Sequence, residues 1–113
     1  MIFHKEAAEG RWFKFTLMEQ LANVGSDIER AIVWKNRGNK EYSENAFFRA
    51  LELLSLTIID KKNKGPRLRE LCRVREFLID YFLFDNQYSF TDDKFWQAYF
   101  YNFAYAAAIA KGR

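Results

Sequence analysis

The sequence predicts an all-α fold: an antiparallel bundle of about four main helices, roughly 16–36, 40–60, 66–84 and 92–110, behind a short N-terminal arm. Three observations carry this. Apolar residues recur at i, i+3, i+4 and i+7 along most of the chain, the period of a helix with one buried face. One proline and five glycines are too little turn-forming material for a barrel or sandwich of many short strands. The 113 residues make a single domain's length, and 12 Phe, 6 Tyr and 3 Trp fill a core with few, bulky side chains.

Residues 1–14 show no clear period, but Ile2, Phe3, Trp12 and Phe13 are bulky, so the arm is expected to pack. Over 16–36, Leu17, Leu21, Val24, Ile28, Ala31 and Ile32 form the apolar face, with Gln20, Asn23, Asp27 and Arg30 opposite. Gly25 costs about 1 kcal/mol relative to alanine inside a helix. It shares a side with Ala22 and Glu29, and a close helix crossing there explains it. Residues 37–39 read as a stop, with Gly38 suited to the left-handed conformation just past a helix end.

Over 40–60, Phe47, Ala50, Leu51, Leu54 and Ile58 line one face, and Phe48, Leu53, Leu56 and Ile59 extend it towards a second neighbour. Residues 61–65 are a loop, and Pro66 suits the first turn of the next helix. Over 66–84, Leu68, Leu71, Leu78 and Phe82 share a face on which Arg75 takes the remaining slot. Residues 85–89 are a break; Thr91 is the expected N-cap, with Asp92 and Asp93 favourable in the first turn. Over 92–110, Trp96, Tyr99, Phe100, Phe103 and Ala107 occupy one side, while Phe95, Tyr101, Tyr105 and Ile109 lie elsewhere on the surface. A helix apolar nearly all round is central or in an interface.

The residue inventory narrows the chemistry. One cysteine, Cys72, excludes an internal disulfide and a multi-cysteine zinc site; following Leu71, it is expected as a small core residue. The only histidine, His4, is expected on the surface of the arm. Widely spaced glycines rule out a phosphate-cradling loop, and no catalytic, metal or cofactor constellation is expected. The opening residues lack the apolar stretch of about 7–15 residues that a signal peptide needs. The 95–110 stretch is interrupted by Gln97 and Asn102 and falls short of the roughly 20 apolar residues of a span. A cytoplasmic protein outside the membrane is the expectation.

The net charge of +3 is unevenly spread: residues 61–75 hold seven basic side chains and one acidic. Lys61, Lys62 and Lys64 follow a helix C-terminus, where cations relieve the dipole, but Arg67 and Arg69 fall in the first turn of the next helix, where they do not. A bound anion would compensate, so these five are the anion-binding candidates; the ordinary alternative is a solvated loop with surface ion pairs. The segment itself lacks the interleaved aromatics typical of nucleic-acid sites. Arg69, Arg73, Glu76 and Asp80 form a charged row expected to face solvent. Glu29 and Arg75 each lie beside an apolar row, and since a buried unpaired charge is costly each is expected to be paired, with one another as one option, as a structural lock.

The stretches LANVGSDIERA (21–31), VWKNRGNKEYSENAF (33–47) and RLRELCRVREFLIDYF (67–82), with the aromatic tail, resemble a family of small uncharacterised bacterial and archaeal helical proteins. That resemblance implies a prokaryotic, all-helical protein and no particular activity. The pattern is also similar to HEPN-type bundles, which often dimerise and include ribonucleases. Their catalytic members place an arginine a few residues before a histidine. Arg73 or Arg75 could supply the arginine, but 77–82 holds no histidine, so the likeness implies a non-catalytic branch or the bundle shape alone. Trp34, Gly38, Asn39, Tyr42, Phe47, Ala50 and Leu51 are similar to one tetratricopeptide unit, but no second copy follows.

Two functions follow as expectations. The first is a non-enzymatic bundle acting through protein association, as a homodimer joined at Phe95, Tyr101 and Tyr105, because the helices carry more aromatic surface than one small domain hides. The second is an acidic partner, RNA or a phosphorylated ligand, held by the basic segment. The thin acid–base inventory counts against an enzyme.

Overall fold

The computed structural model describes residues 9–87 and 91–112. A 3₁₀ turn at Arg11–Lys14 precedes four helices: α1 (Leu17–Asn36), α2 (Lys40–Ile59), α3 (Pro66–Leu83) and α4 (Asp93–Lys111). Among the described residues there is no strand, and the all-α architecture is the expected one.

Local chemistry explains the boundaries. Thr16 opens α1 with a reciprocal capping box: its hydroxyl accepts from the Glu19 N–H at 3.2 Å, and the Glu19 carboxylate accepts from the Thr16 N–H at 2.9 Å. Gly38, at φ +78°, ends α1 in the left-handed conformation. The next residue starts α2, since Asn39 Oδ1 accepts from the Tyr42 N–H at 3.0 Å. Pro66 takes the first position of α3. The cap of α4 is Asp92 rather than Thr91: its Oδ1 accepts from the Phe95 N–H at 2.7 Å, and the Thr91 hydroxyl instead accepts the Trp96 indole N–H at 2.8 Å.

α1 is the central helix, packed against both α2 and α4, and α2 carries α3 and the 3₁₀ turn on its other sides. The core runs through Leu21, Val24, Ile28, Ile32, Phe47, Leu54, Leu71, Leu78, Trp96 and Phe100. The crossing expected at Gly25 is present: a Cβ built there would lie 2.6 Å from the Cβ of Phe100 on α4. Bulkier residues at 25 would hold these helices apart.

Four expectations are corrected by how the helices rotate. Gln20 and Asp27, assigned to the polar side of α1, are buried. On α2 the buried row is Ser43, Ala46, Phe47, Ala50, Leu53, Leu54 and Thr57, leaving Leu51 and Ile58 half-buried. On α3 the inward row is Leu71, Val74 and Leu78, so Arg75 sits half-buried at the margin and Cys72, one step round from Leu71, is exposed rather than in the core. Arg69, Arg73 and Glu76 face solvent as expected, but Asp80 is buried. Its carboxylate accepts from the Gln87 N–H at 3.0 Å and its carbonyl from the Asn86 N–H at 2.9 Å, holding the chain as it leaves α3.

The 3₁₀ turn is part of the core. Trp12 is buried and donates its indole N–H to Thr57 Oγ1 at 3.0 Å, which packs the described part of the arm on α2. His4 lies outside the described residues.

Candidate functional site

The basic segment starts on a buried polar cluster. Gln20 donates its amide N–H groups to the Trp12 carbonyl at 3.1 Å and to Asp60 Oδ2 at 2.8 Å. Asn63 donates to the Thr57 carbonyl at 2.9 Å and to Gln20 Oε1 at 3.3 Å. Lys62 closes the group by pairing its ammonium with the Asp60 carboxylate and donating its N–H to Asp60 Oδ1. Burial by itself pushes the Asp60 carboxyl up, but the Lys62 ammonium, the Gln20 amide and the Lys62 N–H outweigh it and hold the group below its ordinary value. Sequence reasoning missed this cluster because its members come from three separate stretches of chain, at 12, 20 and 57–63.

The five anion-binding candidates therefore divide. Lys62 is engaged with Asp60, and Arg67 pairs with Glu70 at 3.4 Å. Lys61, Lys64 and Arg69 are exposed and make no ion pair among the described residues. Of these, Arg69 lines a cavity of about 450 Å³ between α3 and α4.

That cavity joins charge to aromatic surface. Arg69 and Arg73 stand on successive turns of α3, with Val74 and Phe77 beside them, and α4 supplies Phe95, Trp96 and Tyr99. Tyr99 donates its hydroxyl to Glu70 Oε2 at 2.7 Å, bridging the two helices. Burial, reinforced by the Glu70 carboxylate, pushes the Tyr99 hydroxyl far above its ordinary value, so it stays a donor at any physiological pH. Glu70 thus has one oxygen on Tyr99 and the other on Arg67. Arg69 and Arg73 have no acidic partner among the described residues. The aromatics missing from the linear basic segment arrive from α4, about 30 positions away in sequence.

The three interface candidates are exposed, with Phe95 at 48%, Tyr101 at 64% and Tyr105 at 57%. They do not form one patch. Phe95 belongs to the α3–α4 cavity, whereas Tyr101 borders a second depression, of about 360 Å³, between α1 and α4 beside Ala22, Gly25 and Ser26. Tyr101 and Tyr105 stack along α4 with ring centroids 6.2 Å apart.

Glu29 and Arg75 are not paired with one another. Glu29 is exposed on the flank of α1 that meets α4, where it accepts from Gln97 Nε2 at 3.3 Å. Arg75 belongs to α3, which packs on α2, so the two helices that carry them turn to different neighbours. Among the described residues no group of histidine, cysteine or carboxylate side chains is arranged to hold a metal ion. No described helix is long and apolar enough to cross a membrane. No family model, curated protein or solved structure matches the chain, so its reading rests on its own chemistry.

Proposed function

We propose that this domain is a non-enzymatic bundle that works by binding a second copy of itself through α4. One observation carries the reading: from 95 to 110 the chain holds no charged residue, yet in α4 only Trp96, Phe100 and Ala107 are buried. Ala98, Tyr101, Ala104, Tyr105, Ala108 and Ile109 face outward. Aromatic residues among small ones, without charge, are the composition of an interface centre rather than of a solvated helix.

The occupant is argued from charge. A two-fold contact brings a face against itself, so any charge on it meets its like; α4 contributes none over 16 positions, and Glu29 on the adjoining flank of α1 is bound by Gln97. The charges at the ends of α4 are engaged within the chain, Asp93 by Lys35 and Lys111 by Glu19, and so do not oppose the contact. An antiparallel crossing of two α4 helices opposes their helix dipoles. At 1.5 Å per residue α4 is about 28 Å long, and with the flank of α1 beside it the face is about 20 Å wide, or about 560 Å² per copy. That is below the roughly 800 Å² per partner of a standard stable interface, which sets the expectation of a dimer with micromolar dissociation. A cytoplasmic setting accords with the exposed, unpaired thiol of Cys72, and the HEPN-type likeness accords with a bundle that dimerises without a catalytic histidine.

Sedimentation equilibrium over about 1–200 µM tests the reading. The full chain is expected to pass from monomer to dimer across that range, and Tyr101→Glu with Tyr105→Glu to remain monomeric with an unchanged melting temperature. A chain that stays monomeric at the top of the range overturns it.

A further inference from the structure

We propose that the cavity between α3 and α4 binds a small amphipathic carboxylic acid, its carboxylate held by Arg69 and Arg73 and its apolar body laid against Phe77, Phe95 and Tyr99.

Shape selects a compact ligand. The α3 wall, from Pro66 to Phe77, is about 16 Å long and the α4 wall, from Phe95 to Tyr99, about 6 Å, at 1.5 Å per residue. A partner helix needs a groove that continues along both walls, and this one stops after a single turn of α4. A volume of about 450 Å³ suits a small organic molecule.

Charge selects the head group. Arg69 and Arg73 lie four residues apart on one helix face, close enough for both guanidinium groups to reach one anion. Neither is neutralised by a neighbouring acid among the described residues, because Glu70, the carboxylate between them, is already bound by Tyr99 and Arg67. Because Glu70 is paired to Arg67, the cavity rim keeps two cations uncompensated among the described residues, Arg69 and Arg73, a fork for one anionic head group. A carboxylate can take both guanidinium groups, one to each oxygen, and leaves the aromatic wall to the rest of the molecule, which inorganic phosphate does not cover.

The apolar floor selects the rest. Val74 and Trp96 are buried beneath the cavity, and Phe95, half-exposed, is the side chain whose ring a ligand would cover. An acid with no apolar body would leave this surface wet.

The site is separate from the outward face of Tyr101 and Tyr105, so its test is independent of the dimer. Calorimetric titration of the full chain with decanoate and with 2-naphthoate, each beside its neutral alcohol, reads both halves of the proposal. Saturable binding of at least one acid is expected, about tenfold or more tighter than its alcohol and weakened by salt. The arm that binds better tells an aliphatic from an aromatic body. Arg69→Gln with Arg73→Gln, both at exposed positions, is expected to lose about tenfold or more in affinity at unchanged melting temperature, and Phe95→Ala to weaken acid and alcohol alike. Tyr101→Glu with Tyr105→Glu is expected to bind as the parent does. The proposal is overturned if neither acid saturates, if acid and alcohol bind equally, or if the double arginine variant is unaffected. It is equally overturned if inorganic phosphate or a single-stranded oligouridine displaces the acid at the acid's own concentration, since cationic charge alone would then carry binding.

Discussion

At Gly25 an absent side chain sets how near two helices come. Helix propensity favours alanine there by about 1 kcal/mol. A Cβ 2.6 Å from the Cβ of Phe100, however, forces α1 and α4 apart at a packed crossing, and overpacking of that kind costs about 1–3 kcal/mol. The clash is with the rigid root of a buried side chain, so strain wins. Gly25→Ala is expected to destabilise the fold by up to about 2 kcal/mol net, read as a lower urea midpoint with an unchanged denaturant slope. Asp60 decides the response to acid. Its carboxyl is held below its ordinary value in the fold, so its contribution is complete above the unfolded-state value near 3.9 and is lost as pH falls through the lower folded value. Glu19 acts in the same direction, lowered first by the Thr16 N–H and then by Lys111. Urea midpoints measured against pH are expected to be level from neutrality to about pH 5 and to fall below about pH 4, with a shallower fall in Asp60→Asn.

Among the elements, the shortest is tied in most tightly for its size. The 3₁₀ turn at Arg11–Lys14 buries Trp12, whose indole N–H is used by Thr57 and whose carbonyl is used by Gln20. Four residues cannot hold a helical turn by their own hydrogen bonds, so packing and this polar cluster hold it. Trp12→Ala is expected to cost about 3–5 kcal/mol in urea unfolding, the price of a large core cavity. A loss under about 1 kcal/mol would show the turn to be a loose appendage. The helices are tied end to end by a similar economy. Asn39 begins α2 one residue after Gly38 closes α1, and Lys35 and Asn36 at the end of α1 both bond Asp93 at the start of α4, at 2.8 and 3.0 Å. One end of the bundle is thereby fixed where α1, α2 and α4 meet, whereas the α3–α4 seam is bridged by the reach of Tyr99 to Glu70.

For the whole molecule, the consequence is an arrangement in which α1 is flanked by α2 and α4, and α4 is left with an outward apolar face. The outer face and the α3–α4 cavity differ in their physics, and salt separates them. An association across a face without charge between 95 and 110 is expected to keep nearly the same dissociation constant from about 50 to 500 mM salt, read by the same sedimentation experiment. Carboxylate binding at Arg69 and Arg73 is expected to weaken over that range, because both guanidinium groups are exposed to screening.

The sequence alone determined the elements: periodicity placed four helices within about two residues of their observed ends, and Gly38, Pro66 and the close approach at Gly25 were readable from the local chemistry of glycine and proline. It also marked Phe95, Tyr101 and Tyr105 as aromatic surface off the buried row. Only the tertiary structure decided the rotation of each helix, because neighbouring rows on a helix differ by one step of 100° and several of these helices are apolar on more than one side. That rotation put Val74 rather than Arg75 inside, turned Cys72 out, buried Asp80 and set Glu29 against Gln97. The cavity was beyond the reach of pattern for the same reason: its cations lie on α3 and its rings on α4, and their meeting is a property of packing between distant stretches of chain.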